Sequence, residues 1–245
     1  VTVVVLHGFT GSGATMAGLA AALAPHDVHT PDLVGHGSGP HPDQPEAYRL
    51  DEMADALRHR MEPPVDLVGY SLGGRLALTW ACRYPESVRS LSLIGATAGL
   101  EDPVARRQRV EADRQLAELI EQDLEAFVDQ WMANPLFATQ QRLGPTFLAA
   151  ARAQRLSNNP TALACSLREA GTGTMTPLHD QLPDLTIPVG LIVGADDPKF
   201  VAIARDLATR LPSARVHTIA EAGHAAHLEA PEAVAAAIVE TMGRA

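Results

Sequence analysis

Two cysteines, Cys82 and Cys165, are all that this 245-residue chain contains. They exclude a disulfide framework, and no short-spaced Cys or His cluster surrounds them as a structural metal would require. A cytoplasmic location is the simpler expectation. Basic residues are the minority charge: 19 Lys plus Arg against 29 Asp plus Glu give a formal charge of −10. That balance argues against nucleic acid or an anionic membrane as the main partner, and any anionic ligand must be held by locally gathered charge. Long apolar runs are missing too. The first, Val1 to Leu6, is far too short to span a bilayer, and no basic segment precedes it as in a signal peptide. Because the chain opens inside a strand and without Met, an upstream piece is expected. There is no internal repeat, low-complexity tract or Gly/Ser linker to suggest a second independent domain.

What is present is enough for one full core, with 46% of residues hydrophobic. Short β-branched runs at Val1 to Leu6, Val65 to Gly69, Leu91 to Ile94, Val189 to Val193 and Val216 to Ile219 read as buried strands. Stretches of helical composition lie between or after them: Met16 to Leu23, Leu50 to Met61, Gly73 to Tyr84, Val201 to Leu211 and Glu232 to Met242. This alternation predicts an α/β fold with a mostly parallel central sheet and helices on both faces. The rhythm stops between Gly99 and Leu185, where Arg, Glu, Gln, Ala and Leu dominate. Residues 99–185 therefore read as a helical cap insertion, with 1–98 and 186–245 as the core. The expected cap helices are Pro103 to Gln122, Leu124 to Ala133, one near Arg142 to Gln154, and Pro160 to Ala170.

Gly69-Tyr70-Ser71-Leu72-Gly73 fits G-x-S-x-G, follows an apolar strand and opens a helix. A strained strand-to-helix turn needs small residues on both sides, and it leaves the serine oxygen exposed at a helix N-terminus that favours developing negative charge. Ser71 is thus a candidate nucleophile or base. In an α/β-hydrolase fold the acid and then the histidine follow it in chain order. Val189 to Val193 runs into Asp196-Asp197, and Val216 to Ile219 runs into Gly223-His224, so both partners are expected at strand carboxyl ends. His224 is preferred over His227, which reads as a packing or helix-entry residue. Either aspartate could orient the histidine, leaving the other as a turn or cap residue. The oxyanion donors expected are the backbone amides of Leu72, just after the serine, and of Phe9 in His7-Gly8-Phe9-Thr10-Gly11. Gly8, Gly11 and Gly13 without G-K-[ST] or an acidic ribose ligand do not make a nucleotide site. His36, in Asp32-Leu33-Val34-Gly35-His36-Gly37, reads as structural. Arg75 lies one turn beyond Ser71 on the same helix face, where it opposes the helix dipole and calls for an anionic partner. That partner is a substrate carboxylate or a neighbouring acid, and position alone does not choose.

These motifs together resemble the 2-succinyl-6-hydroxy-2,4-cyclohexadiene-1-carboxylate synthases, α/β-hydrolase-fold lyases of menaquinone biosynthesis. The resemblance spans nearly the whole chain. It is carried by His7 to Ser12, Gly69 to Arg75, Gly99-Leu100 with the Arg-rich helix after it, Trp131 to Phe137, Ser157-Asn158-Asn159 after Arg155, and Gly194 to Phe200. The resemblance implies that a Ser71, His224 and Asp197 triad abstracts a proton, and that pyruvate leaves 2-succinyl-5-enolpyruvyl-6-hydroxy-3-cyclohexene-1-carboxylate. It implies substrate-carboxylate arginines at Arg75, Arg109 and Arg155, a pocket lined by Tyr70, Trp131 and Phe137, a small polycarboxylate as the partner, and no metal or organic cofactor. Arg106, Arg107 and Arg114 crowd the helix that carries Arg109. Met16 and His179 stand where relatives often have Trp, two places where the pocket is expected to differ. The same triad would also serve a carboxylesterase or thioesterase working through an acyl-enzyme on Ser71. A non-catalytic scaffold would have no use for all three residues.

Overall fold

Six strands form one sheet in a computed structural model that describes residues 1–245. They are Val3–Leu6 (β1), Val28–His29 (β2), Val65–Tyr70 (β3), Val88–Ile94 (β4), Val189–Gly194 (β5) and Ala214–Ile219 (β6). Their order is β2-β1-β3-β4-β5-β6, and every pairing is parallel. The edge strand β2 has no counterpart in the sequence reading, because two residues with His29 exposed are too short to show a period.

Ten helices accompany the sheet: Ala17–Ala22 (α1), Leu50–Arg60 (α2), Leu72–Arg83 (α3), Pro103–Gln122 (α4), Leu124–Met132 (α5), Gly144–Leu156 (α6), Pro160–Glu169 (α7), Pro198–Arg210 (α8), Ala226–Glu229 (α9) and Pro231–Met242 (α10). The central strands are buried on both faces, so their sequences look uniformly apolar, yet each alternates between two cores. Val4, Leu6, Leu67, Leu91, Leu93, Leu191 and Val193 pack with α2, α3 and α8. Val3, Val5, Val68, Ile94 and Ile192 point the other way, onto α1 and α10. Met16, expected in the pocket wall, is fully buried in this second core; a 3-10 turn over Gly13–Met16 directs it inward. His179 is likewise buried and faces Glu101, away from the cavities described below.

Between β4 and β5 the chain makes no strand. Helices α4, α5 and α7 share a small core of Ala117, Ile120, Phe127, Val128, Leu163, Ala164 and Leu167, against which Phe9 of the β1 loop also packs. The starts of these helices follow one rule. Asp102, Asp123 and Asn159 accept amide hydrogens of the first turn at 2.9–3.2 Å, and Pro103 and Pro160 occupy the first helical position, where no amide is needed. A 3-10 segment over Pro135–Leu143, capped by Asn134, takes the place of the first part of the helix expected near Arg142.

Three of the buried histidines, His7, His36 and His227, are held neutral by this frame. Burial holds His7 down to about 4, and His36 and His227 to about 3, each far below the usual imidazole value. A histidine kept neutral in the fold but free to protonate when unfolded withdraws stability as pH falls from about 6.5 toward its folded value. Each should cost about 1.4 kcal/mol per pH unit across that window. Thermal melts between pH 7 and 4 should therefore show a steadily falling Tm, and His36→Asn should remove roughly a third of the slope. A Tm independent of pH over this range would contradict the assignment.

Candidate active site

Ser71 stands between β3 and α3 with φ 52° and ψ −106°, a left-handed conformation that non-glycine residues rarely adopt. The turn closes because its neighbours lack side chains. A Cβ on Gly69 would collide with the Gly73 carbonyl, and one on Gly73 would strike the carbonyls of Leu6 and His7. The Ser71 amide donates to the Ile94 carbonyl at 2.9 Å, which ties the turn to the neighbouring strand. The hydroxyl is left at the mouth of α3.

His224 and Asp197 reach this hydroxyl from the loops after β6 and β5. The His224 ring lies with Nδ1 3.0 Å from Asp197 Oδ2 and Nε2 3.4 Å from Ser71 Oγ, and His224 and Asp197 are both about 95% or more buried. The second distance is loose, as is common before substrate tightens the site. Asp197 Oδ2 faces the imidazole while Oδ1 accepts the Phe200 amide at the start of α8. Helix capping therefore fixes the rotamer of the acid. This corrects the expectation that capping would fall to whichever aspartate did not face the histidine. Asp196 does neither; it pairs with Arg142 at 2.7 Å on the exposed side of the loop. Phe200 packs at a tilt against His224 with centroids 4.4 Å apart, and Phe137 approaches it at 6.0 Å, so the ring is held on several sides.

The candidate oxyanion donors face the same space. Leu72 is the first helical residue of α3, so its amide has no acceptor within the helix. Phe9 is the second residue of a tight turn closed by Gly11 N–H to Gly8 O at 3.0 Å, and its own amide donates to no protein group. Gly8 O is also 2.9 Å from His7 Nδ1, while His7 Nε2 accepts the Leu33 amide at 3.0 Å. The second bond fixes the proton on Nδ1, so His7 donates to Gly8 O and holds the Gly8–Phe9 peptide in place.

Two cavities meet at an aromatic wall of Phe9, Trp131 and Phe137. The smaller, about 110 Å³, holds Ser71, Leu72, His224, Arg75, Arg109 and Lys199. The larger, about 410 Å³, is lined by Tyr70, Arg155, His227, Gln154 and the Gly8 to Gly11 turn. Arg75 is 8% exposed, has no carboxylate within 4 Å, and gives one hydrogen bond to the Ala170 carbonyl at 2.5 Å. Burial and the nearby Arg109 charge lower its guanidinium to about 10. Arg109 pairs with the buried Asp113 at 2.8 Å, whose own acidity burial weakens. Two guanidiniums thus lie near one carboxylate, which pairs with Arg109 alone, and the small cavity carries excess positive charge. In the larger cavity Arg155 bonds only the Ala151 carbonyl, and its Nε is buried without a partner. Tyr70 lies against His227 with ring centroids 4.2 Å apart. His227 thus packs, and also faces the cavity.

This architecture has close counterparts among known proteins. The sequence model of the α/β hydrolase fold family matches residues 1–231. A Bacillus subtilis (strain 168) protein provisionally named a 2-succinyl-6-hydroxy-2,4-cyclohexadiene-1-carboxylate synthase is 40% identical over 94% of this chain and 85% of its own. The synthase of that name from Enterobacter sp. (strain 638) is 34% identical over 98% of this chain and 90% of its own. The chain belongs to this synthase family. It is an enzyme of the α/β-hydrolase fold. Among solved structures, MenH from S. aureus superposes with a TM-score of 0.94 at 29% identity, covering 99% of this chain and 93% of that one. A thermophilic esterase from Thermogutta terrifontis, solved with malate bound, gives 0.85 at 26% identity over 98% and 88%.

Not every residue around the serine of this synthase-family chain is legible in its sequence. Lys199, the sole lysine, lines the small cavity without an acid partner; its place in Asp197-Pro198-Lys199-Phe200 was visible, but not the turn of α8 that brings it there. Gln154 and Asn158 reach the Thr10 carbonyl from the insertion, a contact 144 or more residues apart in sequence. The two aspartates can be separated by mutation. Asp197→Asn should lower turnover by about 10⁴-fold, because an amide there favours the wrong imidazole tautomer. Asp196→Asn should change it by less than about fivefold, as expected of an exposed ion pair. Equal losses in steady-state assays would refute the assignment.

Proposed function

We propose that the protein acts as a 2-succinyl-6-hydroxy-2,4-cyclohexadiene-1-carboxylate synthase, a carbon–oxygen lyase of menaquinone biosynthesis, and works in the cytoplasm. The observation that carries this reading is Arg75: a buried guanidinium one turn from Ser71, in the same cavity, with no protein carboxylate within ion-pair distance and only the Asp113 already paired with Arg109 acting on it from further off. An acidic protein gains nothing by burying a cation there unless an anion arrives with the substrate. Arg109, Lys199 and Arg155 distribute further positive charge across the two cavities, which suits a ligand with several carboxylates. Tyr70, Trp131 and Phe137 supply apolar walls for its ring.

On this reading His224, oriented by Asp197, takes the Ser71 proton, and the serine oxygen removes a proton from the carbon next to a substrate carbonyl. The C–H electron pair moves into the conjugated system as the carbonyl oxygen becomes anionic, facing the Phe9 and Leu72 amides. Collapse of this enolate breaks the C–O bond to the enolpyruvyl group. The departing enolate recovers a proton from His224 through Ser71 and becomes pyruvate. Atoms balance without water and without an acyl-enzyme.

A carboxylesterase or thioesterase is the second reading. It is favoured by the TM-score of 0.85 to the Thermogutta terrifontis esterase and by a larger cavity that is mostly apolar. In it Ser71 would attack a carbonyl carbon, and water would resolve the ester so formed.

Pyruvate release from freshly generated precursor separates the two. The synthase reading expects release well above background, lost by at least about 10³-fold in Ser71→Ala. Arg75→Ala should lower kcat/KM by about 10- to 100-fold, the worth of one desolvated charge-assisted hydrogen bond. It should leave the rate of Ser71 labelling by a neutral fluorophosphonate nearly unchanged. Lys199→Ala, at an exposed position, should raise KM several-fold in a salt-dependent way. No pyruvate release, with a burst on a short-chain aryl ester, would favour the hydrolase instead.

A further inference from the structure

The turn that presents the Phe9 amide is strained. It closes through Gly11 N–H to Gly8 O, with Phe9 and Thr10 at its centre, and Thr10 has φ 66°. Positive φ at the third residue of such a turn favours glycine or asparagine, and a β-branched threonine there is an outlier. Such a conformation persists only where the surroundings over-determine it. The surroundings are supplied by the insertion. The Thr10 carbonyl accepts the side-chain amides of Gln154 and Asn158, each at 3.1 Å. Asn158 is 3% exposed and uses the rest of its amide as well: Nδ2 also donates to the Arg155 carbonyl at 3.0 Å, and Oδ1 accepts the Gly37 amide at 3.0 Å. One buried side chain thus links three segments, namely the turn after β1, the loop at Gly37 and the end of α6.

We infer that Asn158, assisted by Gln154, is a positioning residue for the candidate oxyanion site: it holds Thr10 in its left-handed conformation and so aims the Phe9 amide at the developing negative charge. Arg155, whose guanidinium faces the larger cavity, sits on the same short segment, and its carbonyl is one of the Asn158 acceptors. Anchoring of a substrate anion and aim of the oxyanion donor are therefore built on one turn of the insertion. The inference rests on Phe9 serving as an oxyanion donor, a role common to the elimination and to ester hydrolysis.

Asn158→Asp preserves shape and the acceptor for Gly37, but it takes the donor from Thr10 O and sets an anionic oxygen against that carbonyl. Gln154→Met removes only the second donor, at a half-buried position. Arg152→Ala, which breaks ion pairs of the insertion with Asp129 and Glu125, is the control for loosening this layer in general. The readouts are the second-order rate of Ser71 labelling by a fluorophosphonate, kcat and KM for pyruvate release, and Tm. Asn158→Asp should slow both labelling and kcat at least tenfold with KM within twofold. Gln154→Met should slow them about threefold, and Arg152→Ala should leave them unchanged even where Tm falls. If Asn158→Asp does not fold, Gln154→Met carries the test. Labelling of the folded variants at the wild-type rate would overturn the inference, as would losses matched by Arg152→Ala. A wild-type protein that labels but releases no pyruvate would defeat the synthase reading alone, and the labelling rates would still decide this one.

Discussion

Beyond the ends of the strands, the parallel register continues as a staircase of single backbone hydrogen bonds. Ser71 N–H reaches Ile94 O, Gly95 N–H reaches Ile192 O, and Ala195 N–H reaches Ile219 O, at 2.8–2.9 Å. Each step joins the residue just past one strand to one of the last residues of the next. The serine, the acid and the histidine are thereby set at one sheet edge by main-chain geometry before any of their side chains meet. In a parallel sheet every strand delivers its carboxyl end to the same side, so three loops far apart in sequence converge without a dedicated scaffold. The collisions that a Cβ on Gly69, Gly73 or Gly194 would cause show how closely these loops are stacked.

On this frame the electrostatics run against the chain as a whole. The protein carries a formal charge of −10, yet its two adjoining cavities are lined by four cations, of which only Arg109 has a carboxylate partner. Most other arginines discharge themselves on exposed acids, as Arg152 does on Glu125 and Asp129 or Arg168 on Glu121. Such surface pairs contribute little to stability. Arg75 gains no comparable partner, and its buried position is a standing cost to the fold. On the proposed reading this distribution suits a site for a small anion in an acidic protein, since overall charge repels anionic macromolecules while local charge admits a small one.

The alternation of β-branched and Ala/Leu-rich segments was enough to read the parallel sheet, because strands buried on both faces leave a strong apolar signal. The short edge strand β2 leaves none. Ser71 was legible because its turn demands glycines at fixed offsets, and a steric demand of that kind is written locally. The choice between Asp196 and Asp197 was not local: it depends on which carboxylate faces back under β6 while capping α8, and residue resemblance rather than spacing pointed to Asp197. Met16 and His179 mislead for a related reason. Which face of a short helical turn a side chain takes is decided by packing, and both turn into the protein. Asn158 and Lys199 were hidden as roles, since each acquires its neighbours only when the insertion or α8 folds against the core.

The insertion is better understood as part of the sheet edge than as a lid resting on it, since it bonds to the turn after β1 and to the loops that carry Asp197 and His224. Gln154 and Asn158 hold the turn after β1. Arg142 spans the acid and histidine loops through Asp196 and the Glu221 carbonyl. Glu229 takes the Thr139 hydroxyl with one oxygen and the Gly223 amide with the other. These ties differ in strength for a simple reason. Arg142 and Asp196 are largely exposed, so water replaces their contact at small cost. Asn158 is buried, and separating it would leave both amide and carbonyl groups unsatisfied, at roughly 1–3 kcal/mol for each group stranded. These two contacts of the insertion are therefore unequally fastened. Thr10, beside the Phe9 amide, is thus tied to the insertion through a buried side chain, whereas the acid loop is tied to it through an exposed one.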